Sequence, residues 1–577
     1  MYDALHRYGA QIGARLDEER LLAWTRLAVL TVAALFLAAA LLLALTIPFH
    51  VWDALAYSAW SRQIADSGNL HFSGLTALEY QRPFYYVLQG WLWRVSGFDE
   101  RTGRVLALAF AVLLVVCVAR LARTVGAAWA GTVAVLLLLL VDDLPRQGLS
   151  GLSDVPVAAM VALVGVLVWR PRRGRFAPAA LVAASAAAAL TKPSALFALA
   201  GLAAAQVVGE KARLRERVMR NAMPIAAGCV LALVWDELHA RRLHMGLSAF
   251  LRAGTRGYYS AVADAVRRQV GFGLEWLGPD LRLVLVFSLA YALVRVAGLD
   301  HRRSVLLSLP VAVIASWLGP WIGAHEASVV LGPLTGPGRY VPFVALALLL
   351  LLAAEAPPEL APSRTNLARL LLWSVPPTLT WLLWVPYDSR YLSPAWPGLV
   401  VLCAVTTATG VRGAARRSAL VPAAALGVLV AVAVSSFELL DGLGVDGWRQ
   451  YRAAGVSGWL DQDRMRSLYL GAFADELKLT RAQLHGGGGR VFSSDGRLKF
   501  YFPGRVTQAY PRGCADLRDY RVFVLLLDSR SVSYLEQQVG ASANPRFWSS
   551  CASPRLRLAG ERASEFAVFA VHRDGAP

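Results

Sequence analysis

The chain has 577 residues, 56% of them hydrophobic, with a formal net charge of +19 and a mean hydropathy of +0.47. Apolar runs near the ~20 residues that cross a bilayer core recur along it, which excludes a soluble single-core protein and predicts a polytopic membrane protein. Its basic residues sit in short clusters between those runs, where the positive-inside bias places them, so nucleic acid is excluded as a partner.

Residues 1–23 are polar and basic, and the apolar run Trp24–Thr46 has no small-residue cleavage site behind it. It reads as a retained span with a cytoplasmic N-terminus. The loop 48–102 follows. Asp53 stands just beyond the span, and Arg82-Pro83-Phe84-Tyr85-Tyr86 opens a second helical stretch. That stretch, Phe84–Val95, is apolar but has the length of a re-entrant or interfacial helix. Further spans are predicted at roughly 103–121, 126–141, 155–170, 176–190, 194–208, 221–236, 281–297, 304–321, 340–355, 368–386, 394–410 and 418–435.

Charge decides whether Phe84–Val95 crosses. If it does, the clusters Arg120 with Arg123, Arg170–Arg175 and Lys211–Arg220 fall outside. If it does not, all three fall inside, together with His301-Arg302-Arg303 and Arg412, Arg416 and Arg417, and every loop obeys the positive-inside rule. About 13 spans result. The outer face then collects the loop 48–102, Asp142–Asp154, Thr191-Lys192-Pro193, the long loop after Asp236, His325–Tyr340, Tyr387–Tyr391 and the tail.

The tail, from about 436, changes composition: short β-like runs (RVFSS, KFYF, RVFVLLL) alternate with Gly-rich turns. The predicted organisation is a cytoplasmic segment 1–23, a transmembrane domain 24–435 and a small α/β domain 436–577 outside. Cys514 and Cys551 lie in that domain and either form a disulfide or remain two buried thiols. Gly486–Gly489 lacks a following Lys-Ser or Lys-Thr and is no phosphate loop.

Asp53 and Asp154 are carboxylates at span ends on one face, where an ionisable group is a functional candidate by default. Either could instead cap a helix. Together they suit a site in which one accepts a proton from an acceptor hydroxyl and the other orients a sugar or holds a divalent ion. Arg82, Lys192, Arg339 and Arg390 are cations on the same face, suited to a lipid phosphate; each alone could simply snorkel to the headgroups. Tyr57 and Tyr85 join them as substrate-binding candidates, although an interfacial aromatic belt accounts equally for the Tyr and Trp residues of this loop. His71, His239 and His325 are scattered loop histidines, read as structural or solvated.

Asp53 after the first span, the Arg82–Tyr86 motif, Arg104-Val105-Leu106, Asp154 two residues before a proline, Leu190-Thr191-Lys192 and the run Asp388–Pro394, ending Arg390-Tyr391-Leu392-Ser393-Pro394, occur in an order that resembles the GT-C membrane glycosyltransferases. The branch it resembles is that of protein O-mannosyltransferases and lipid A aminoarabinose transferases, over roughly residues 20–400. The resemblance implies an all-α transmembrane domain with juxtamembrane helices in the first outer loop. It also implies inverting transfer of a sugar from a polyprenyl-phosphate donor to a glycan, lipid or protein acceptor outside the inner (plasma) membrane. It casts Asp53 as the acceptor-activating base and Asp154 as the second acid. Arg82 and Lys192 would stabilise the leaving phosphate, and Arg390 and Tyr391 would line the donor cavity.

Two departures stand out. Gln81 occupies a position where aminoarabinose transferases carry an acid, and Asp53 is followed by Ala where some relatives carry a second acid. No metal ligand set and no cofactor are assigned, and a divalent cation is left open. The alternatives are a transporter or flippase of a lipid-linked substrate, and an oligosaccharide ligase or polymerase using a lipid diphosphate.

Overall fold

The computed structural model describes residues 2–49, 52–68, 70, 82–126, 128–140, 148–169, 176–209, 211–242, 244, 246–248, 278–323, 340–383, 392–415, 444–484, 489–493, 497–507, 519–526, 556–558 and 566–571. The chain forms two compact units. The first comprises Met1–Leu41, Ala107–Leu149 and Ser153–Gly442; the second comprises Leu42–Leu106, Ser150–Leu152 and Leu443–Pro577.

In chain order the helices up to residue 415 are α1 (Tyr2–Thr46), α2 (Trp52–Ser67), α3 (Phe84–Ser96), α4 (Glu100–Gly126), α5 (Ala128–Leu140), α6 (Asp154–Trp169), α7 (Ala177–Thr191), α8 (Ala195–Ala205), α9 (Met223–Arg242), α10 (Gly278–Val296), α11 (His301–Gly323), α12 (Tyr340–Leu352), α13 (Arg364–Leu383) and α14 (Trp396–Ala415). Each apolar run predicted as a span from 103 to 410 carries one of them. The run 418–435 lies outside the described residues. Among the described residues Leu22–Thr46, Glu100–Gly126 and Leu214–Arg242 are long and apolar enough to cross a bilayer.

The first unit packs by close approach of small residues, the means by which helices associate where burial in lipid offers no hydrophobic gain. A side chain at Gly201 of α8 would meet the Leu372 carbonyl of α13 at 2.6 Å, and one at Gly228 of α9 would meet Val182 O of α7 at 2.7 Å. Helix α6 is apolar on every side apart from Asp154, and is accordingly buried over most of its length. Buried polar contacts tie further helices together. Ser288 and Thr406 bond at 2.6 Å, and His301 Nε2 lies 2.7 Å from the Ala353 carbonyl. Since a carbonyl only accepts, His301 carries its proton on Nε2, and its Nδ1 accepts from the Tyr291 hydroxyl at 2.8 Å.

One end of this unit is basic. Arg364 donates to Gly298 O at 2.6 Å, Asn366 to Val125 O at 3.4 Å and Arg369 to Val208 O at 2.9 Å. The start of α13 thus gathers the C-terminal ends of α10, α4 and α8, whose outward carbonyls need donors.

The second unit joins α2 and α3 to the C-terminal elements α15 (Gly444–Leu460), α16 (Gln462–Leu470), α17 (Ala472–Leu484), β1 (Arg490–Ser493), a one-turn helix α18 (Leu498–Tyr501), β2 (Val506–Thr507), β3 (Tyr520–Leu526), β4 (Leu556–Leu558) and β5 (Phe566–Val571). The strands form one mixed sheet in the order β2-β1-β3-β5-β4, parallel between β1 and its two neighbours and antiparallel between β3, β5 and β4. Two of the three β-like runs are strands. The third, KFYF, is the turn α18, closed by Phe502 N to Leu498 O at 2.9 Å, and β1 pairs instead with β2. A four-residue apolar run carries too few periods to separate helix from strand.

The core of this unit is drawn from both stretches of chain: Phe49, Leu55 and Trp93 pack with Phe473, Val491, Phe500 and Val522. Phe500 meets Phe49, Trp93 and Phe98 at ring-centroid distances of 5.8, 6.0 and 5.4 Å. Arg62 of α2 lies over the Phe98 ring at 4.1 Å and donates to the Phe500 carbonyl at 2.6 Å. Burial draws its guanidinium below the ordinary value, opposed by Asp66 and Glu100. The first loop and the tail therefore share one folded body.

Candidate functional site

In the second unit the candidate residues sit on α2 and α3. Tyr57 meets Tyr86 edge to face at 5.9 Å, Ser61 donates to Gln89 Oε1 at 2.7 Å, and a side chain at Gly90 would meet Ser61 O at 2.6 Å. Further along, one at Gly68 would meet the Arg94 guanidinium. Contacts that advance together along both helices mean that α2 and α3 run parallel. Their first turns therefore share an end. Asp53 lies in the first turn of α2, one turn before Tyr57, and Arg82 lies one turn before Tyr86. Arg82 is 2% exposed. Negative charge in a first turn is stabilised by the free N–H groups of the helix end.

Tyr85 is fully buried, with Tyr86 edge-on at 5.3 Å, and burial raises its phenol well above the usual value. It stays a neutral hydroxyl. Tyr57 is half-buried at the rim of the same cluster. Trp93 is enclosed, whereas Trp91 is exposed.

In the first unit Lys192 forms an ion pair with Asp154, the two side chains 13% and 4% exposed. The local sequence builds it. Pro193 forces the preceding residue out of helical geometry, and Lys192 is extended at φ −155°, ψ 139°, ending α7. Asp154 opens α6, and α6 packs against α7 as its antiparallel neighbour. The pair lies at the end of α7 and the start of α8, so it is at the opposite end of α8 from the basic cluster at Val208. Burial of two charges is tolerated when they are paired.

Arg339, Arg390 and Tyr391 lie outside the described residues, as do Asp142, Asp143, His71, His325, Cys514 and Cys551. Among the described residues, Cys117, Cys229 and Cys403 form no disulfide. Among the described residues no three His, Cys, Asp or Glu side chains lie together as a metal site would need.

Three residues hold this part of the second unit together; Arg104 was among the sequence motifs, whereas Glu100 and Gln89 were not singled out. Glu100 accepts from Phe49 N at 2.9 Å and from Arg466 at 3.5 Å, and buried Arg104 donates to the Pro48 carbonyl. Gln89 also receives Ser58 at 3.3 Å. Their signal was weak, because a charge in the first turn of a span looks like an ordinary membrane-surface residue.

No protein-family model matches the chain, and no curated protein sequence matches it. Among solved structures it is similar to ArnT from Cupriavidus metallidurans bound to undecaprenyl phosphate, with a TM-score of 0.53 and 15% identity, covering 94% of this chain and 97% of that one. The chain has the ArnT fold. It matches ArnT in the apo state with a TM-score of 0.51 and 16% identity over 93% and 97% of the two chains. The oligosaccharyltransferase from Archaeoglobus fulgidus aligns at a TM-score of 0.44 and 14% identity, over 89% and 71%. The match to ArnT takes in both units, since it leaves only a small part of either chain uncovered.

Proposed function

We propose that this protein is an inverting membrane glycosyltransferase that moves a sugar from a polyprenyl-phosphate donor to a glycan, lipid or protein hydroxyl outside the inner membrane. The observation that carries the reading is the buried Lys192–Asp154 pair in a chain with the ArnT fold. A lysine held at the end of the bundle away from the basic ends is an investment that anchoring to headgroups does not require. By the positive-inside rule that end is the outer one.

In this reading Asp53 takes the proton of the acceptor hydroxyl as its oxygen attacks the anomeric carbon. The bond from that carbon to the phosphate oxygen breaks, and the electron pair leaves on the lipid phosphate. The leaving group is already anionic, so it needs positive charge more than a proton. The resemblance assigns that charge to Lys192 and Arg82 and the donor cavity to Arg390 and Tyr391, with Arg339, Tyr57 and Tyr85 as further candidates for substrate contact; within the first unit Asp154 holds the ammonium of Lys192. By the positive-inside rule we assign the loop 48–102 and the tail to the extracytoplasmic side, with about 13 spans in the chain.

The test is release of polyprenyl phosphate from a panel of labelled polyprenyl-phosphate sugars by purified protein with membrane extract as acceptor. Turnover of one donor by the wild type, lost in Asp53→Asn at an unchanged melting temperature, supports the proposal. Equal behaviour of the two proteins overturns the role of Asp53. No turnover of any donor turns the question to lipid flux in vesicles.

A further inference from the structure

At the basic end of the first unit a second arrangement of charge serves no part of that reaction. Residues 209–220, GEKARLRERVMR, hold five basic and two acidic side chains, and Arg369 of α13 joins them. Two guanidiniums converge at the turn that follows α8. Arg217 Nε donates to Gln206 O at 3.0 Å, and Arg369 donates through Nε and Nη2 to Val208 O at 3.1 and 2.9 Å. Both approach Gly209, where an added Cβ would lie 2.9 Å from Arg369 Nη2 and 3.4 Å from Arg217 Cζ. Gly209 adopts φ +125°, a conformation open to glycine, so the turn admits both guanidiniums side by side. Like charges brought together at one turn invite an anion.

The surface beside them is apolar. Leu214–Arg217 leads through a π-helical turn, Val218–Ala222, into α9. Met219 and Met223 are 59% and 54% exposed, and Val230 and Val234 continue the same face at helical spacing. The helix Leu214–Arg242 is long and apolar enough to cross the bilayer, yet only 22% of its most apolar window is buried. A stripe of this kind faces acyl chains. Arg213, Arg215 and Arg220 are exposed at its end, and of these Arg220 is offset by Glu216 at 2.7 Å.

We propose that this end of the unit binds an anionic phospholipid, its phosphodiester held by Arg217 and Arg369 and its acyl chains lying along Met219, Met223 and Val230. Charge and apolar stripe meet where a headgroup meets its chains, a combination that a merely solvated basic loop does not need. The site lies at the far end of α8 from Lys192, so it is separate from the proposed donor phosphate.

The experiment is thermal unfolding and native mass spectrometry of the purified full-length protein in detergent supplemented with phosphatidylglycerol, with phosphatidylcholine of the same acyl chains, or with inorganic phosphate. Phosphatidylglycerol alone should raise the melting temperature and remain bound. Arg217→Gln with Arg369→Gln should weaken its retention roughly thirtyfold, as expected for two cations at a charged surface. Met219→Glu with Met223→Glu, at exposed positions that leave the turn intact, should also reduce retention and guards against a double variant that fails to fold. Equal stabilisation by phosphatidylcholine, an equal effect of phosphate alone, or retention unchanged in the Met variants overturns the proposal.

Discussion

Tyr57 packs edge to face on Tyr86 at 5.9 Å, the first of the contacts along which α2 and α3 run parallel, so that Asp53 in the first turn of α2 and Arg82 just before α3 share one end. The next contact along, at Gly90, tolerates no side chain. Gly90→Leu should drive α3 off Ser61 and cost about 1–3 kcal/mol of stability. Donor turnover should fall with it, although no polar group has been removed; thermal unfolding and the release assay read the two effects. Wild-type stability in this variant would refute the packing.

The Lys192–Asp154 pair separates charge balance from chemistry. Lys192→Met leaves a buried carboxylate and should destabilise by about 3–5 kcal/mol, whereas Lys192→Met with Asp154→Leu should recover most of that loss. Turnover should stay absent in both. A double variant that regained turnover together with stability would make the pair structural only.

Glu100 joins the Phe49 backbone to Arg466. Glu100→Gln keeps the shape but weakens two charge-assisted bonds, and should cost about 1.5–3 kcal/mol. Denaturant unfolding of the wild type and variant measures it.

The shared core of Phe49, Trp93 and Phe500 makes the tail a structural requirement of the first loop. A chain ending at Gly442 should therefore expose the 48–102 loop to limited proteolysis and lose turnover, even with its membrane helices retained. Proteolytic mapping of inserted protein shows whether the loop stays protected.

A side chain at Gly201 would strike the Leu372 and Trp373 carbonyls. Gly201→Leu should separate α8 from α13 at a cost of about 1–3 kcal/mol or more, whereas Gly298→Ala, in open space, tests only the strain of its φ of +113°. Comparing melting temperatures of the two variants distinguishes packing from backbone geometry.

By itself the sequence determined the helices of the first unit, because an apolar run must close its own backbone hydrogen bonds in lipid and helix is the local solution. It also singled out Asp53, Asp154, Arg82 and Lys192, because a charge at the edge of such a run is conspicuous against apolar surroundings. Only the tertiary structure decided which charges meet. Lys192 finds Asp154 through the extended Lys192-Pro193 link between α7 and α8, while the parallel course of α2 and α3 follows from small contacts at Ser61 and Gly90 that no local pattern announces. It also decided that KFYF is a turn rather than a strand, and that Arg62 reaches the Phe500 carbonyl 438 residues away. Contacts of that separation depend on how the whole chain closes, and the physics of any single stretch is silent about them.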